Sequence, residues 1–263
     1  MSVASRAPVV RTAGLVAVRR MAAAPRAAVL LVVALLLVGV PLVATACGGS
    51  ARPSTDGGLG EHKVTVAGDS ISVGLGAQLR DVVAAATGDD AVVKVIGMPG
   101  TGLARPDSFD WPTRIRELAA DHPPDVLVFS VGSNDAQDLT DVDGDVVVTM
   151  SDDDEWDAEY SRRLAEVFDA FAPTDGEDAG TKVVWVGHVR TVKDSVADTN
   201  RRVHRLATEV AQDRPWVEVR DLDELLGLGG ATATRCLLPD GVHLRTDCLT
   251  EADEALLPDL VPR

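Results

Sequence analysis

The chain has 263 residues, 41 of them acidic and 25 basic, for a net charge of −16. A surface this acidic does not seek nucleic acid or anionic lipid headgroups, so neither is expected as a partner. The charge is unevenly placed: Met1 to Arg26 carry five Arg and no acid, and Ala27 to Ala46 are apolar and uncharged.

A basic lead, an apolar run and small residues at its end, Ala44-Thr45-Ala46, describe a secretory signal. A membrane anchor is the competing reading, since about 20 apolar residues would span a bilayer. Pro41 and the small residues before Cys47 favour cleavage. Met21 is a second start position, because a 26-residue basic lead is long for a signal. The Ala44–Cys47 stretch also resembles a bacterial lipobox, which implies a diacylglyceryl group on Cys47 and attachment to the membrane through it. Ala44 stands where that motif usually has Leu. The expected organisation is therefore 1–46 signal peptide, 47–61 flexible tether rich in Gly, Pro and Ser, and 62–263 folded domain. Cleavage would leave 20 basic against 41 acidic residues, a charge of −21, suited to a solvated domain outside the cytoplasm. About 200 residues are one domain's worth, with room for a real core.

In chain order, Lys63–Ala67 reads as a strand and Val73–Ala86 as a helix. Ala91–Ile96 is a second strand, Pro112–Asp121 a helix, and Asp125–Val131 a strongly apolar third strand. Asp141–Asp154 is acid-rich, and its Asp143-Gly144 pair predicts a hairpin turn. The spacing does not match a calcium loop, where Gly takes the sixth position; here it takes the fourth. Trp156–Phe171 is helical, Lys182–Val186 a fourth strand, Thr199–Gln212 a helix, Trp216–Val219 a fifth strand, and Asp247–Leu257 a closing helix. Apolar strands alternating with amphipathic helices predict an α/β fold: a three-layer α/β/α sandwich on a mainly parallel, five-stranded sheet.

The polar groups gather where the strands end. Ser70 follows the first strand, Gly100 and Gly102 the second, Asn134 the third, and His188 the fourth. Ligands of such folds bind outside the carboxyl ends of the strands. Ser70 is the candidate nucleophile, which needs a base to remove its proton. Its bland alternative is a helix N-cap, a role that Ser72 could fill instead. Of the five histidines, only His243 has a carboxylate nearby in a Pro-Asp-Gly turn. His243 is thus the candidate base and Asp240 its orienter. Asn134, the Ser70 N–H, and a glycine N–H from Gly102 or Gly100 are candidate oxyanion donors. Asn134 alone would equally suit an Asx turn. Trp111, placed in a loop, and His188, at a strand end, are candidate substrate contacts. Leu237, Leu238 and Leu244 offer a small apolar lining. With Cys47 carrying lipid, Cys236 and Cys248 remain as a disulfide pair closing a loop around Asp240 and His243.

Gly68-Asp69-Ser70, a glycine after strand two, Gly132-Ser133-Asn134-Asp135 and Asp240-Gly241-Val242-His243 together resemble the four motif blocks of the SGNH, or GDSL-type, hydrolases, in the family's order. The resemblance implies a flavodoxin-like fold, no metal and no cofactor. It also implies Ser70 as nucleophile and donor, Gly102 or Gly100 and Asn134 as further donors, and Asp240 with His243 completing a triad. Thr101–Asp107, Phe109–Pro112, Trp156, Tyr160 and Trp185-Val186-Gly187 are similar to a poorly characterised branch of secreted bacterial SGNH proteins, which favours Gly102. The expected function is an extracytoplasmic serine esterase. It would hydrolyse or transfer an acyl group, acetyl above all, on a cell-envelope glycan or a small ester. The alternative is a non-catalytic glycan-binding or assembly factor on the same scaffold.

Overall fold

The structure, a computed structural model, describes residues 62–87, 91–174, 180–229 and 232–261. The expected signal (1–46), Cys47 and the tether up to residue 61 lie outside the described residues.

Strand β1 (His62–Gly68) leads into helix α1 (Ser70–Thr87), and β2 (Ala91–Gly97) into α2 (Trp111–Asp121). Then come β3 (Val126–Ser130), a hairpin of β4 (Leu139–Thr140) and β5 (Val146–Val148), and α3 (Asp153–Asp169). The chain closes with β6 (Lys182–Gly187), α4 (Asp194–Ala211), β7 (Val217–Asp221), the short α5 (Leu222–Leu225) and α6 (Thr246–Leu260). The five long strands form one parallel sheet in the order β2-β1-β3-β6-β7. The order reverses between β1 and β3, which opens a crevice at their carboxyl ends.

Both faces of the sheet are covered, as near-continuous apolar strands require. Successive side chains point to opposite faces. On β3, Val126 and Val128 join the core beneath α1 and α6, with Leu75, Leu79, Leu249 and Leu256. Leu127 and Phe129 join the other core, with Ile115 of α2, Leu164 and Phe168 of α3, and Leu206 of α4. The three-layer sandwich expected from the sequence is therefore present.

Boundaries moved where capping decided them. Helix α1 begins at Ser70, three residues before its expected start, because Asp69 caps it. The Asp69 carboxylate accepts from Ile71 N–H at 2.9 Å, and Ser72 Oγ donates back to the Asp69 carbonyl at 2.7 Å. Neither serine is the cap. The hairpin turn forms at Asp143-Gly144, with Gly144 at φ 89°, and the Asp141 carboxylate accepts the N–H groups of Asp143 and Asp145. The short β4 and α5 had no signal in the pattern.

Trp111 is not a loop residue. It opens α2, is fully buried, and stacks edge-on with Phe109 and Phe129. Its indole N–H donates to Thr101 Oγ1 at 3.0 Å. Trp111 is thus a core residue and does not reach substrate, which corrects the expectation. The bulk of the ring found more stabilisation in burial than in a solvated loop.

Asp253 of α6 is a liability in the core. It is fully buried, neither carboxylate oxygen has a hydrogen-bond partner among the described residues, and burial pushes its pKa from 3.8 up to about 8. The folded state therefore holds a proton that the unfolded chain has released, so stability is greatest below pH 4 and falls as pH rises through 8. Asp253→Asn should raise stability at pH 8 by about 1–3 kcal/mol and change little at pH 4. Urea unfolding at the two pH values checks this; an equal effect at both would show that the carboxyl charge is not the cause.

Candidate active site

At the end of β1 the backbone makes a turn that only glycine permits. Gly68 has φ 134°, and a Cβ there would lie 1.9 Å from the Ser130 carbonyl oxygen. The following Asp69 N–H bonds that oxygen at 3.1 Å. Ser70 thus emerges on the first turn of α1 at the crevice between β1 and β3.

The loop before α6 meets it there. His243 Nε2 lies 2.8 Å from Ser70 Oγ, and His243 Nδ1 lies 2.8 Å from Asp240 Oδ2. The other oxygen of Asp240 accepts the N–H groups of Val242 at 2.9 Å and His243 at 3.0 Å. These backbone donors, Val242 first, hold the Asp240 carboxyl well below the usual carboxylate range. An ionised Asp240 accepts only, so Nδ1 carries the ring proton and Nε2 is free to accept from the serine hydroxyl. The structure therefore brings Ser70, His243 and Asp240 into one hydrogen-bonded chain.

The turn that carries Asp240 and His243 is anchored at both ends. Cys236 and Cys248 form the expected disulfide, and the Cys236 carbonyl accepts the Arg245 N–H at 2.7 Å. For a loop of this size the crosslink is worth about 2–3 kcal/mol through the unfolded chain. Reductant should lower the stability of the native protein by that amount and leave a Cys236→Ala, Cys248→Ala double variant unmoved. Identical melting curves with and without reductant in the native protein would contradict this.

On the opposite side of Ser70 the two glycines separate. Gly100, at φ 80°, follows Pro99 in a turn closed by Thr101 N–H to the Met98 carbonyl, and a Cβ there would meet nothing. It is a turn glycine. At Gly102 a Cβ would lie 2.1 Å from the Asp135 carboxylate, so that position tolerates no side chain. Among the described residues the N–H groups of Ser70 and Gly102 have no acceptor. Asn134 joins the segments: its amide donates to Asp69 Oδ2 at 3.1 Å and to the Thr101 carbonyl at 2.9 Å. These acceptors neighbour Ser70 and Gly102 in the chain.

Two buried carboxyls underlie this arrangement. Asp135 accepts from Ala104 N–H at 2.8 Å and Tyr160 Oη at 2.7 Å, and burial pushes its pKa up to about 6. Arg163, nine-tenths buried, pairs with Glu159 and donates to the carbonyls of Leu103, Ala104 and Thr140. Leu103 and Ala104, next to Gly102, are thus gripped by both their amides and their carbonyls. Sequence reasoning did not find this clamp, although Glu159 and Arg163 at i, i+4 on α3 were a readable pair. Burial likewise pushes Asp69 up to about 7, against the pull of the Ile71 N–H and of His243. Near neutral pH Asp69 is therefore only about half ionised beside the serine.

His188 does not face substrate. Its side chain is only 2% exposed, and burial pushes its pKa down to about 3. Ser130 Oγ donates to the Val186 carbonyl, so it accepts from His188 Nε2 at 2.9 Å. Nδ1 then accepts from Ser133, N–H at 3.2 Å and Oγ at 2.7 Å. The neutral ring braces the segment that presents Asn134, and its 3.8 Å approach to Asp69 is no ion pair. The expected substrate contact is corrected to a structural one: a ring with both nitrogens satisfied inside gains nothing by turning outward. Among the described residues no cluster of three or more His, Cys, Asp or Glu could hold a metal ion.

The parallel sheet in the order β2-β1-β3-β6-β7, covered by helices on both faces, is a fold that solved esterase and GDSL-type structures share with this chain. An acetyl xylan esterase from Geobacillus stearothermophilus superposes with a TM-score of 0.55 at 16% identity, covering 77% of this chain and 97% of its own. A carbohydrate acetylesterase from Sinorhizobium meliloti gives 0.51 at 16%, covering 75% and 97%. A member of the lipolytic protein G-D-S-L family from Veillonella parvula gives 0.52 at 14%, covering 75% and 97%. At such identities the likeness establishes the fold. The chain itself belongs to the family described as "Protein of unknown function (DUF459)", matched over residues 63–245. No curated protein matches it.

Proposed function

We propose that the chain is a serine esterase that removes or transfers an acyl group through a covalent acyl-enzyme. The observation that carries this is the continuous relay from Ser70 Oγ through His243 to Asp240, with 2.8 Å at each step. Ser70 Oγ attacks the ester carbonyl carbon as His243 Nε2 takes its proton. The oxyanion that forms is met by the N–H groups of Ser70 and Gly102, and Asn134 exchanges the Thr101 carbonyl for it. Collapse breaks the bond to the leaving oxygen, which takes the proton from His243. Water, or an acceptor alcohol, then gives a proton to His243 as it attacks the acyl carbon; the bond from that carbon to Ser70 Oγ breaks, His243 returns the proton to Oγ, and the acid or new ester departs.

The acyl group is acetyl and the carrier an envelope glycan or small ester on this reading, which the acetylesterase fold neighbours support. A secretory signal over residues 1–46, cleaved before a lipid-bearing Cys47, would place the domain outside the cytoplasm, tethered by lipid. The test is p-nitrophenyl acetate turnover by the full chain against Ser70→Ala. Loss of turnover in a folded variant supports the esterase. Equal rates would move the assignment to a non-catalytic glycan-binding scaffold.

A further inference from the structure

Among the described residues, the exposed large hydrophobics include Val73, Met98, Val192 and Leu238, all on segments that border the relay. Leu238 and Val192 belong to the His243 side. Leu237 and Leu244 form an antiparallel bridge, closed by Leu238 N–H to the His243 carbonyl at 2.7 Å and Arg245 N–H to the Cys236 carbonyl at 2.7 Å. Cross-strand neighbours share a face. Leu238 therefore stands opposite His243, on the face away from the half-buried Leu237 and the buried Leu244. Leu238 is 42% exposed. Val192 lies over the same turn: its N–H reaches the Gly241 carbonyl, and a Cβ on Gly241 would lie 2.2 Å from its Cγ2. It is 54% exposed.

The chemistry decides which part of a substrate meets these side chains. In the collapse step His243 Nε2 must hand its proton to the leaving oxygen, so the alcohol half of the ester lies on the His243 side. We infer that Leu238 and Val192 form an aliphatic ledge for the leaving alcohol, selecting esters whose alcohol carries an alkyl or aryl group next to the ester oxygen over those of small or fully polar alcohols. This rests on the esterase reading and, of its two carriers, takes the small ester over the envelope glycan, whose sugar alcohol is fully polar. Leu238 and Val192 are both branched aliphatic side chains held in solvent, and both border the turn that carries Asp240 and His243. A substrate with an apolar alcohol would cover them.

Ethyl and hexyl acetate test this, because both leave as simple primary alkoxides of similar reactivity and differ only in what the ledge can touch. Acid release by the full chain gives kcat/KM for each. Partial burial of the four extra methylenes should favour hexyl acetate by about tenfold. Leu238→Ser with Val192→Ser should bring that ratio to about one, and Leu238→Phe should keep or raise it. A ratio near one in the native protein, or one that the serine variants leave unchanged, overturns the ledge while Ser70-dependent turnover keeps the esterase reading. Absence of Ser70-dependent turnover on both esters overturns the esterase reading and the ledge with it.

Discussion

Ser70→Ala and His243→Ala should each lower kcat on p-nitrophenyl acetate by about 10⁴–10⁶-fold, and the double variant should be no slower than either. The two groups act as one unit. Without the base, the hydroxyl keeps its proton; without the hydroxyl, the base has no nucleophile in place. Asp240→Asn should cost less, about 10³–10⁴-fold. It keeps the shape of the turn and its bonds to the Val242 and His243 amides, but its NH₂ can donate to Nδ1 and so favour the wrong imidazole tautomer. Steady-state rates of the three single variants and the double variant check the pattern. Losses that multiplied in the double variant would mean that Ser70 and His243 act independently, against the 2.8 Å bond between them.

Asp135→Ala should be the most destabilising single change at the site, by about 3–5 kcal/mol. The carboxylate accepts from the amides of Leu103 and Ala104 and from Tyr160 Oη, all in the interior. Removing it strands those donors without water and leaves a void beside Gly102. In a domain of this size the loss corresponds to about 10 °C or more in Tm. Turnover should fall as well, because the same carboxyl holds the strip that presents the Gly102 N–H. Asp135→Asn should cost less, since it retains one acceptor and Tyr160 Oη can reverse its role. It should also remove a pH dependence. The folded-state pKa is raised to about 6 from 3.8, so the charged carboxyl costs stability as pH rises from about 4 through 6. Thermal melts at pH 4 and pH 7 measure both effects. An Asp135→Ala protein with unchanged Tm would show that the clamp is not what orders the strip.

The disposition of the site was largely legible because its pieces are local. Asp240 and His243 are three residues apart in a Pro-Asp-Gly turn, and that spacing alone suffices for the carboxylate to reach Nδ1. Ser70, Gly102 and Asn134 each follow a strand, and parallel strands deliver their ends to one edge. Trp111 and His188 were misread for one reason. Position in the chain showed that both lie near that edge, whereas direction depends on which layer packs over them. Trp111 turned inward onto Phe129 and Thr101, and His188 onto Ser130 and Ser133. The choice between Gly100 and Gly102 likewise needed the third dimension, since one glycine serves a turn and the other makes room for Asp135.

By itself the sequence determined the alternation of strand and helix, the parallel sheet, the order of the motif blocks and the pairing of Asp240 with His243. Those follow from side-chain periodicity and short-range spacing, which any segment carries within itself. Only the tertiary structure decided the burial of Asp69, Asp135 and Asp253, the grip of Arg163 on Leu103 and Ala104, the neutral state of His188 and the exposure of Leu238 beside His243. Each of these depends on groups far apart in the chain sharing a volume from which water is excluded. Burial and desolvation belong to that shared volume, and no single segment contains it.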